Sequence, residues 1–493
     1  MTEFEIVHKD LMGRIGRLRT PHGVVETPTI MPVIHPNLMP MGADELKRYG
    51  AEMIITNAYI LYRKKELRED ALKHGIHSLL DCELPIMTDS GSYQLMQYKD
   101  IEVSNREIVE FQERIGSDIC VPLDIPTPPY ERIERAKSDL EETLRRLREA
   151  RSIIHQSMLA GVVQGSTFLE LRKESAYRVA EIGFDIYPIG GVVPLLESYT
   201  FDKLVDIIMA SKMNLPLNAP VHLFGAGHPI FFPLAVALGC DLFDSAAYAL
   251  YAKGKRYITS DGTRKVEHLR YSPCSCPVCS SHSIKELQES DELLASHNLW
   301  VTFEEMRVVK QSIAEGQLWE LCERRCRAYP ALLNALKRMT YYSAVIEKFD
   351  PSTKHPFFYL SECSIRRPEV LRYASRLNRF TVSGRVLIST HSAQKVTKKK
   401  FEEAFDHIVL VKPPFGPYPL ELSESYPVGQ SEIPTEIDSE AKTVALRNVL
   451  KLLELNKERA KFTFSYDHRW DGQPLIEEIR KYAEVRKEES TLL

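Results

Sequence analysis

Eight short apolar runs punctuate the first 250 residues, at 28–33, 53–61, 85–90, 119–125, 159–165, 186–191, 221–227 and 242–247. Most are near-continuous rather than alternating. That is the pattern of strands covered on both faces, as parallel strands are. Between them lie stretches with helical spacing of their apolar residues, at 133–156, 168–182 and 201–213. Eight such strands alternating with helices over about 250 residues predict an α/β chain of the (β/α)8, or TIM, barrel type.

In such a barrel the reactive residues stand at the C-terminal ends of the strands. The third run ends in Thr88-Asp89-Ser90-Gly91-Ser92-Tyr93-Gln94, the fourth in Leu123-Asp124, the fifth in Gln164-Gly165 and the sixth in Gly190-Gly191. The eighth contains Phe243-Asp244-Ser245. A single Asp after a strand is as readily a turn or helix-capping residue. Three of them on one barrel face, beside a carboxamide and exposed glycine backbone, suit a purine-like base. Carboxylates accept from its ring N–H and exocyclic amine, while a carboxamide and backbone N–H groups meet its carbonyl. Tyr93 could stack on the base or simply pack in the core.

After the eighth run come Cys274, Cys276 and Cys279, spaced C-x-C-x2-C, with His297 after seventeen intervening residues. Three thiolates and one imidazole form a closed tetrahedral set for structural Zn2+, with no position left for substrate. His282, three residues after Cys279, competes with His297 for the fourth place. The stretch 293–299 is helix-compatible and able to fold back on the cysteine loop.

The rest of the chain is ordinary globular sequence. Of its 493 residues, 44% are hydrophobic and 27% charged. No apolar run approaches the roughly 20 residues of a membrane span, and the acidic N-terminus has no signal core. Of nine cysteines three are in that cluster and the others are scattered, which is not a disulfide framework and fits a reducing cytoplasm. The net charge of −4 leaves nucleic-acid binding to local groups. Candidates are Lys253, Lys255, Arg256, Arg264 and Lys265, and further on Lys395 with Lys398, Lys399 and Lys400. The organisation expected is a catalytic barrel over 1–350 with a zinc module near 270–300. A first small α+β accessory domain over 351–432 and a second over 433–493 should follow, with strands at 379–389 and 407–412 and helices at 435–455 and 475–485.

These motifs resemble the tRNA-guanine transglycosylases, specifically the archaeal, archaeosine-type branch. The resemblance runs from about residue 4 to 350. It is carried by Asp-Ser-Gly-Ser-Tyr-Gln at 89–94, Val-Val-Gln-Gly at 162–165, Pro-Ile-Gly-Gly-Val-Val at 188–193, Gly-Cys-Asp-Leu-Phe-Asp-Ser-Ala at 239–246, the cysteine cluster and His297-Asn298-Leu299. It implies a barrel with structural Zn2+ on Cys274, Cys276, Cys279 and His297. It makes Asp244 the nucleophile and Asp89 an acid/base and positioning group. Asp124 and Gln164 recognise the base, assisted by Ser90, Tyr93 and the backbone of Gly190, Gly191 and Val192. The reaction implied is exchange of guanine at position 15 of the tRNA D-arm for 7-cyano-7-deazaguanine.

Bacterial, queuosine-type enzymes typically carry Gly-Gly-Phe where this chain has Gly91-Ser92-Tyr93, and a Cys-Val-Leu-Pro-Thr-Arg-like run after the nucleophile. The resemblance also implies a homodimer through the zinc region. The archaeal enzymes commonly end in an RNA-binding PUA domain, for which no room is seen before Leu493; that suggests a separate PUA-bearing polypeptide. A non-catalytic RNA-binding scaffold has no need of the Asp89, Asp124, Gln164 and Asp244 set. A transglycosylase acting on DNA is disfavoured by the accessory region, and a zinc hydrolase by the closed ligand set.

Overall fold

The computed structural model of the chain describes residues 3–36, 41–92, 103–354, 356–391 and 404–488. Tyr93 and the basic stretch 395–400 lie outside them. The chain divides into two compact units, Met1–Met339 and Thr340–Leu493.

The first unit opens with an antiparallel sheet of β1 (Phe4–Asp10), β2 (Gly13–Thr20) and β3 (Gly23–Thr27). Eight parallel strands follow: β4 (Thr29–Ile34), β5 (Ile54–Asn57), β6 (Ile86–Asp89), β7 (Ile119–Cys120), β8 (Met158–Leu159), β9 (Tyr187–Ile189), β10 (Val221–Leu223) and β11 (Leu242–Ser245). Their spatial order is β8-β7-β6-β5-β4-β11-β10-β9. Parallel bridges from Ala160 to Ile186 and from Val163 to Ile189 join the two ends and close the ring. Each predicted apolar run contributes one strand or its end, and the (β/α)8 barrel is present.

The barrel interior is filled by Met31, Met53, Ile55, Met87, Ile119, Val121, Met158, Val162, Ile186 and Leu242. Unbranched methionines fill the irregular gaps such a taper leaves. Leu18 and Val25 from β2 and β3 join the same cluster. Arg14 on β2 pairs with Asp241, just before β11, and His22 with Asp118, just before β7. The small sheet therefore covers the N-terminal end of the barrel, and the C-terminal strand ends are left for chemistry.

The ladder of β7 is shorter than the sequence predicts. The run 119–125 pairs only through Cys120. Pro122 has no N–H to give a ladder, and at Val121, whose N–H still reaches the Thr88 carbonyl of β6 at 3.1 Å, a side chain shares the N–H and takes the carbonyl. Gln112 donates Nε2–H to the Val121 carbonyl at 2.9 Å and accepts the Val121 N–H at 3.0 Å. The predicted helices lie at Ile133–Arg151, Leu169–Ile182 and Phe201–Lys212.

Beyond β11 comes a hairpin, β12 (Arg256–Thr259) with β13 (Gly262–Lys265), then the cysteine loop and a long helix, Asp291–Glu315. Ser290 caps that helix, accepting the Leu293 N–H at 3.1 Å, and Gly316 ends it at φ 70°. Asn298 ties it to the hairpin, accepting from Ile258 N–H at 2.8 Å and donating to the Arg256 carbonyl at 3.0 Å. The module is thus longer at both ends than 270–300.

The second unit begins at Thr340, eleven residues before the expected start at 351. Its strands are β14 (Phe357–Phe358), β15 (Gly384–Ser389), β16 (His407–Lys412), β17 (Gly416–Pro419), β18 (Ser431–Glu432), β19 (Ala460–Tyr466) and β20 (Ala483–Lys487). Five of them form one sheet, ordered β17-β16-β15-β19-β20, parallel except at β17. The expected division at 432/433 does not follow this sheet. β15 and β16 come from one stretch, β19 and β20 from the other, and Val386 and Val409 share a core with Leu446, Val449 and Phe464. The helix expected at 435–455 is Ser439–Asn456. The one expected at 475–485 ends at Ile479, and Ala483–Lys487 is the edge strand β20 instead. Among the described residues no helix is long and apolar enough to cross a membrane.

Candidate active site

A cavity of about 1120 Å3 opens at the C-terminal ends of the barrel strands. Asp89, Asp124 and Asp244 all line it, as do Gly190, Gly191, Asn57, Ser92, Val193 and Phe224. The three carboxylates singled out in the sequence therefore converge. Three other expected residues, Ser90, Val192 and Gln164, sit behind the wall. Ser90 turns its hydroxyl to the Pro122 carbonyl at 3.0 Å, and Ser92 lines the cavity in its stead. Val192 is fully buried and Val193 takes the lining position.

Asp89 ends β6 and pairs in register with Asn57 at the end of β5. Side chains in register project from one face, so Asn57 Nδ2–H reaches Asp89 Oδ2 at 3.2 Å while Asn57 Oδ1 caps the next helix at Ile60 N–H. Burial, together with the negative charges of Asp124 and Asp244, pushes the Asp89 carboxyl up to about 7, against backbone donors from Gly91 and Ser90. The group is poised to exchange a proton near neutral pH.

Asp124 follows β7. Its N–H donates to Ser92 Oγ at 3.0 Å, and its carboxylate accepts from Gln164 Nε2. Burial raises its carboxyl above the ordinary range, opposed by Ser92 and Gln164. Gln164 lies fully buried beneath Gly190 and Gly191. A Cβ on Gly190 would meet Gln164 Nε2 at 2.4 Å, and one on Gly191 would meet Oε1 at 2.9 Å. Gly191 also holds φ 68°. Glycine at both places lets the backbone lie directly on the carboxamide. Beneath them Arg172 donates to the carbonyls of Ser166, Val163 and Gly190 at 2.8, 2.9 and 2.9 Å. Burial lowers its guanidinium to about 9. Sequence reading missed Arg172, which sits inside the helix Leu169–Ile182 as one charge among many.

Asp244 lies within β11. Its Oδ1 accepts from Gly225 N–H at 2.8 Å and is 2.8 Å from His222 Nε2. His222 was also missed, because it stands inside the apolar run of β10 and looks like a core residue. Phe224 adds an aromatic face to the cavity, with its ring 4.5 Å from the His222 ring. Around the mouth lie Tyr251, Arg256, Asp261, Gly262 and Thr263.

Cys274, Cys276, Cys279 and His297 come together, with one ligand atom of each within 4.8 Å of all the others. His297 Nδ1 is 3.4 Å from Cys276 Sγ and 3.3 Å from Cys279 Sγ. Its Nε2–H donates to the Ile258 carbonyl at 3.0 Å, which leaves Nδ1 as the ligating nitrogen. Tyr257 stacks on the imidazole at 3.7 Å. These four residues could hold a metal ion, and the donor set fits one with tetrahedral preference. The rival histidine, His282, pairs with Glu286 at 3.3 Å instead.

A second His/Asp group, His22, His77 and Asp118, lies at the opposite end of the barrel. There each Asp118 oxygen accepts one backbone N–H, from His22 at 2.9 Å or Ile86 at 2.7 Å, and faces one imidazole. Four donors satisfy that carboxylate without a cation.

A (β/α)8 barrel with three carboxylates and a carboxamide at its strand ends, and a Cys3His cluster in the module that follows the barrel strands, marks out a class of barrel proteins. Comparison with known proteins identifies the class. The family model described as queuine tRNA-ribosyltransferase matches residues 10–331. The tRNA-guanine(15) transglycosylase of Methanosarcina mazei is 54% identical over 486 residues, 98% of this chain and 97% of that protein. That of Archaeoglobus fulgidus is 47% identical over 468 residues, 93% and 94% of the two chains. That of Methanocaldococcus jannaschii is 51% identical over 459 residues, 89% of this chain and 69% of the relative. The chain belongs to the queuine tRNA-ribosyltransferase family, with archaeal tRNA-guanine(15) transglycosylases as relatives over nearly its whole length, and it is a pentosyltransferase.

Proposed function

We propose that this chain exchanges guanine at position 15 of tRNA for 7-cyano-7-deazaguanine through a ribosyl ester on Asp244. The observation that carries the reading is the division of labour between two carboxylates in one cavity. Asp244 is held by two donors on one oxygen, and Asp89 is pushed up to about 7. Such pairs separate nucleophile from acid.

The target nucleotide leaves the stack to enter the cavity. Asp244 attacks ribose C1′ as the C1′–N9 bond breaks, through an oxocarbenium-like transition state. Asp89 gives its proton to the departing guanine. The incoming deazaguanine loses its own N9 proton to Asp89, attacks C1′ and releases Asp244. Asp124 accepts from the base's ring N–H and amine. Gln164 acts by holding Asp124 in place, and Gly190 and Gly191 let the base approach the backbone. A free carboxylate nucleophile and a proton carrier suffice, so no redox cofactor is called on. Zn2+ on Cys274, Cys276, Cys279 and His297 would hold the hairpin to the long helix. That role is structural, and buried free thiols elsewhere fit a reducing cytoplasm.

The test is incorporation of radiolabelled guanine into an unmodified archaeal tRNA transcript, mapped to its position. Label at position 15 with the parent, and none with Asp244→Ala, is the expected result. Label incorporated by Asp244→Ala would defeat the covalent route. Label at another position, or into DNA alone, would defeat the substrate assignment. Metal analysis should find one Zn2+ per chain, lost in Cys276→Ser.

A further inference from the structure

We infer that His222 is a positioning residue for Asp244: its Nε2–H and the Gly225 N–H pin Oδ1, so that Oδ2 is the oxygen that attacks the sugar. The inference rests on the reading of Asp244 as nucleophile given above.

The geometry begins in the sheet. His222 on β10 pairs in register with Leu242 on β11. Asp244 is two residues further along β11, so both side chains project from the same face, into the barrel. His222 is wholly buried. Its Nε2 is 2.8 Å from Asp244 Oδ1, and its Nδ1 has no hydrogen-bond partner among the described residues. Those facts fix the tautomer. Asp244 Oδ1 accepts only, so the ring proton is on Nε2. A second proton on Nδ1 would be buried with nothing among the described residues to receive it. The ring is therefore a one-sided donor aimed at one oxygen.

Gly225 N–H reaches the same oxygen from the turn after β10, at 2.8 Å. The turn holds Gly225 at φ 68°, with a Cβ there 2.4 Å from Val193, so the donor's position is fixed. Two donors from different directions lock the carboxylate's rotation. Its Oδ2 takes no hydrogen bond from the described residues, and the carboxylate lines the cavity. An oxygen without donors is the better nucleophile, and one whose partner oxygen is clamped keeps its lone pair aimed.

The decisive pair of variants is His222→Gln and His222→Met. Gln places an N–H the same number of bonds from Cβ as the imidazole Nε2–H. Met has nearly the same length and volume and no donor. Guanine exchange into tRNA is measured at saturation, along with KM for guanine and the ester adduct that survives denaturing electrophoresis. The expected result is a kcat loss on the order of 10- to 100-fold in His222→Met, with KM for guanine within about threefold of the parent. His222→Gln should recover most of the loss, and adduct formation should follow kcat. A purely structural His222 would move both variants together, or move KM as much as kcat. Either pattern overturns the inference, as does parental kcat in His222→Met. If His222→Met melts well below the parent, His222→Phe keeps a ring without the donor and is read the same way. Asp244→Ala is run beside them. If it still exchanges base, the nucleophile assignment has failed; if it is dead while His222→Met is fully active, only the positioning role has.

Discussion

At the scale of single residues the cavity is a problem of like charge. Three carboxylates line one space, and they cannot all ionise without cost. Burial and its two neighbours push Asp89 up to about 7. Between its ordinary value near 4 and that raised value, folded Asp89 keeps a proton that the unfolded chain has released. Folding stability therefore falls as pH rises through that window. Asp89→Asn removes the penalty without changing the shape. It should melt above the parent at pH about 8 and lose that advantage near pH about 4, in paired thermal denaturation. The same variant should lower base exchange by about 100-fold or more, since no proton carrier remains. A stabilised, inactive Asn variant is a signature that a misfolded one would not give. The residues legible in sequence were the acids, because a carboxylate ending an apolar run is conspicuous. Asn57 and His222 were not, since their task depends on which residue faces them across the sheet.

At the scale of elements, the barrel could be read from its eight runs, and the differences have local causes. β7 stops where Pro122 has no N–H and the Gln112 carboxamide takes the Val121 carbonyl. The stretch 475–485 has helical spacing for one turn and then joins β19 as an edge strand. A tertiary ladder overrode the local pattern there. The strand-end loops are equally exacting. Gly191→Ala puts a Cβ 2.9 Å from Gln164 Oε1 at φ 68°. The carboxamide must shift off Asp124, so KM for guanine should rise by about tenfold or more, with a smaller effect on kcat. Steady-state exchange against guanine concentration checks this. At the other end of the barrel, burial alone would depress the His77 imidazole. The hydrogen bonds to Asp118 and to the Cys82 carbonyl, with the Asp118 charge, outweigh it and raise the group. Burial likewise works to raise Asp118, but its donors His77, Ile86 N–H and His22 hold it low. A raised imidazole contributes stability that is complete below its unfolded value of 6.5 and lost as pH rises through its folded value. His77→Ala should therefore cost more melting temperature at pH about 6 than at pH about 9. Equal losses at both would show that packing alone is involved.

For the whole molecule, a net charge of −4 gives no general attraction for a polyanion. Any hold on tRNA must come from where the basic groups stand. The structure sorts the hairpin candidates. Lys255 is committed internally, to Asp291 at 2.7 Å and the Gln288 carbonyl at 2.8 Å. Lys265 donates to the Gly254 carbonyl at 3.1 Å. Arg256 lies over the Tyr251 ring at 5.4 Å and lines the cavity, while Lys253 and Arg264 are exposed on the same module. A sequence cannot make that distinction, since all five read alike as positive charges. Counterion release gives it a measurable form. Each phosphate contact contributes close to one unit to the slope of log affinity against log salt. Lys253→Ala and Arg264→Ala should each weaken tRNA binding and flatten that slope by about one unit, with KM for free guanine unchanged. Lys255→Ala should leave the slope as it is and lower the melting temperature instead, because it breaks a contact inside the module. Titrations between about 50 and 200 mM salt cover the range where the slope is steep. Equal slopes in all three variants would remove the hairpin from the tRNA interface and leave the cavity's own contacts to hold the extruded nucleotide.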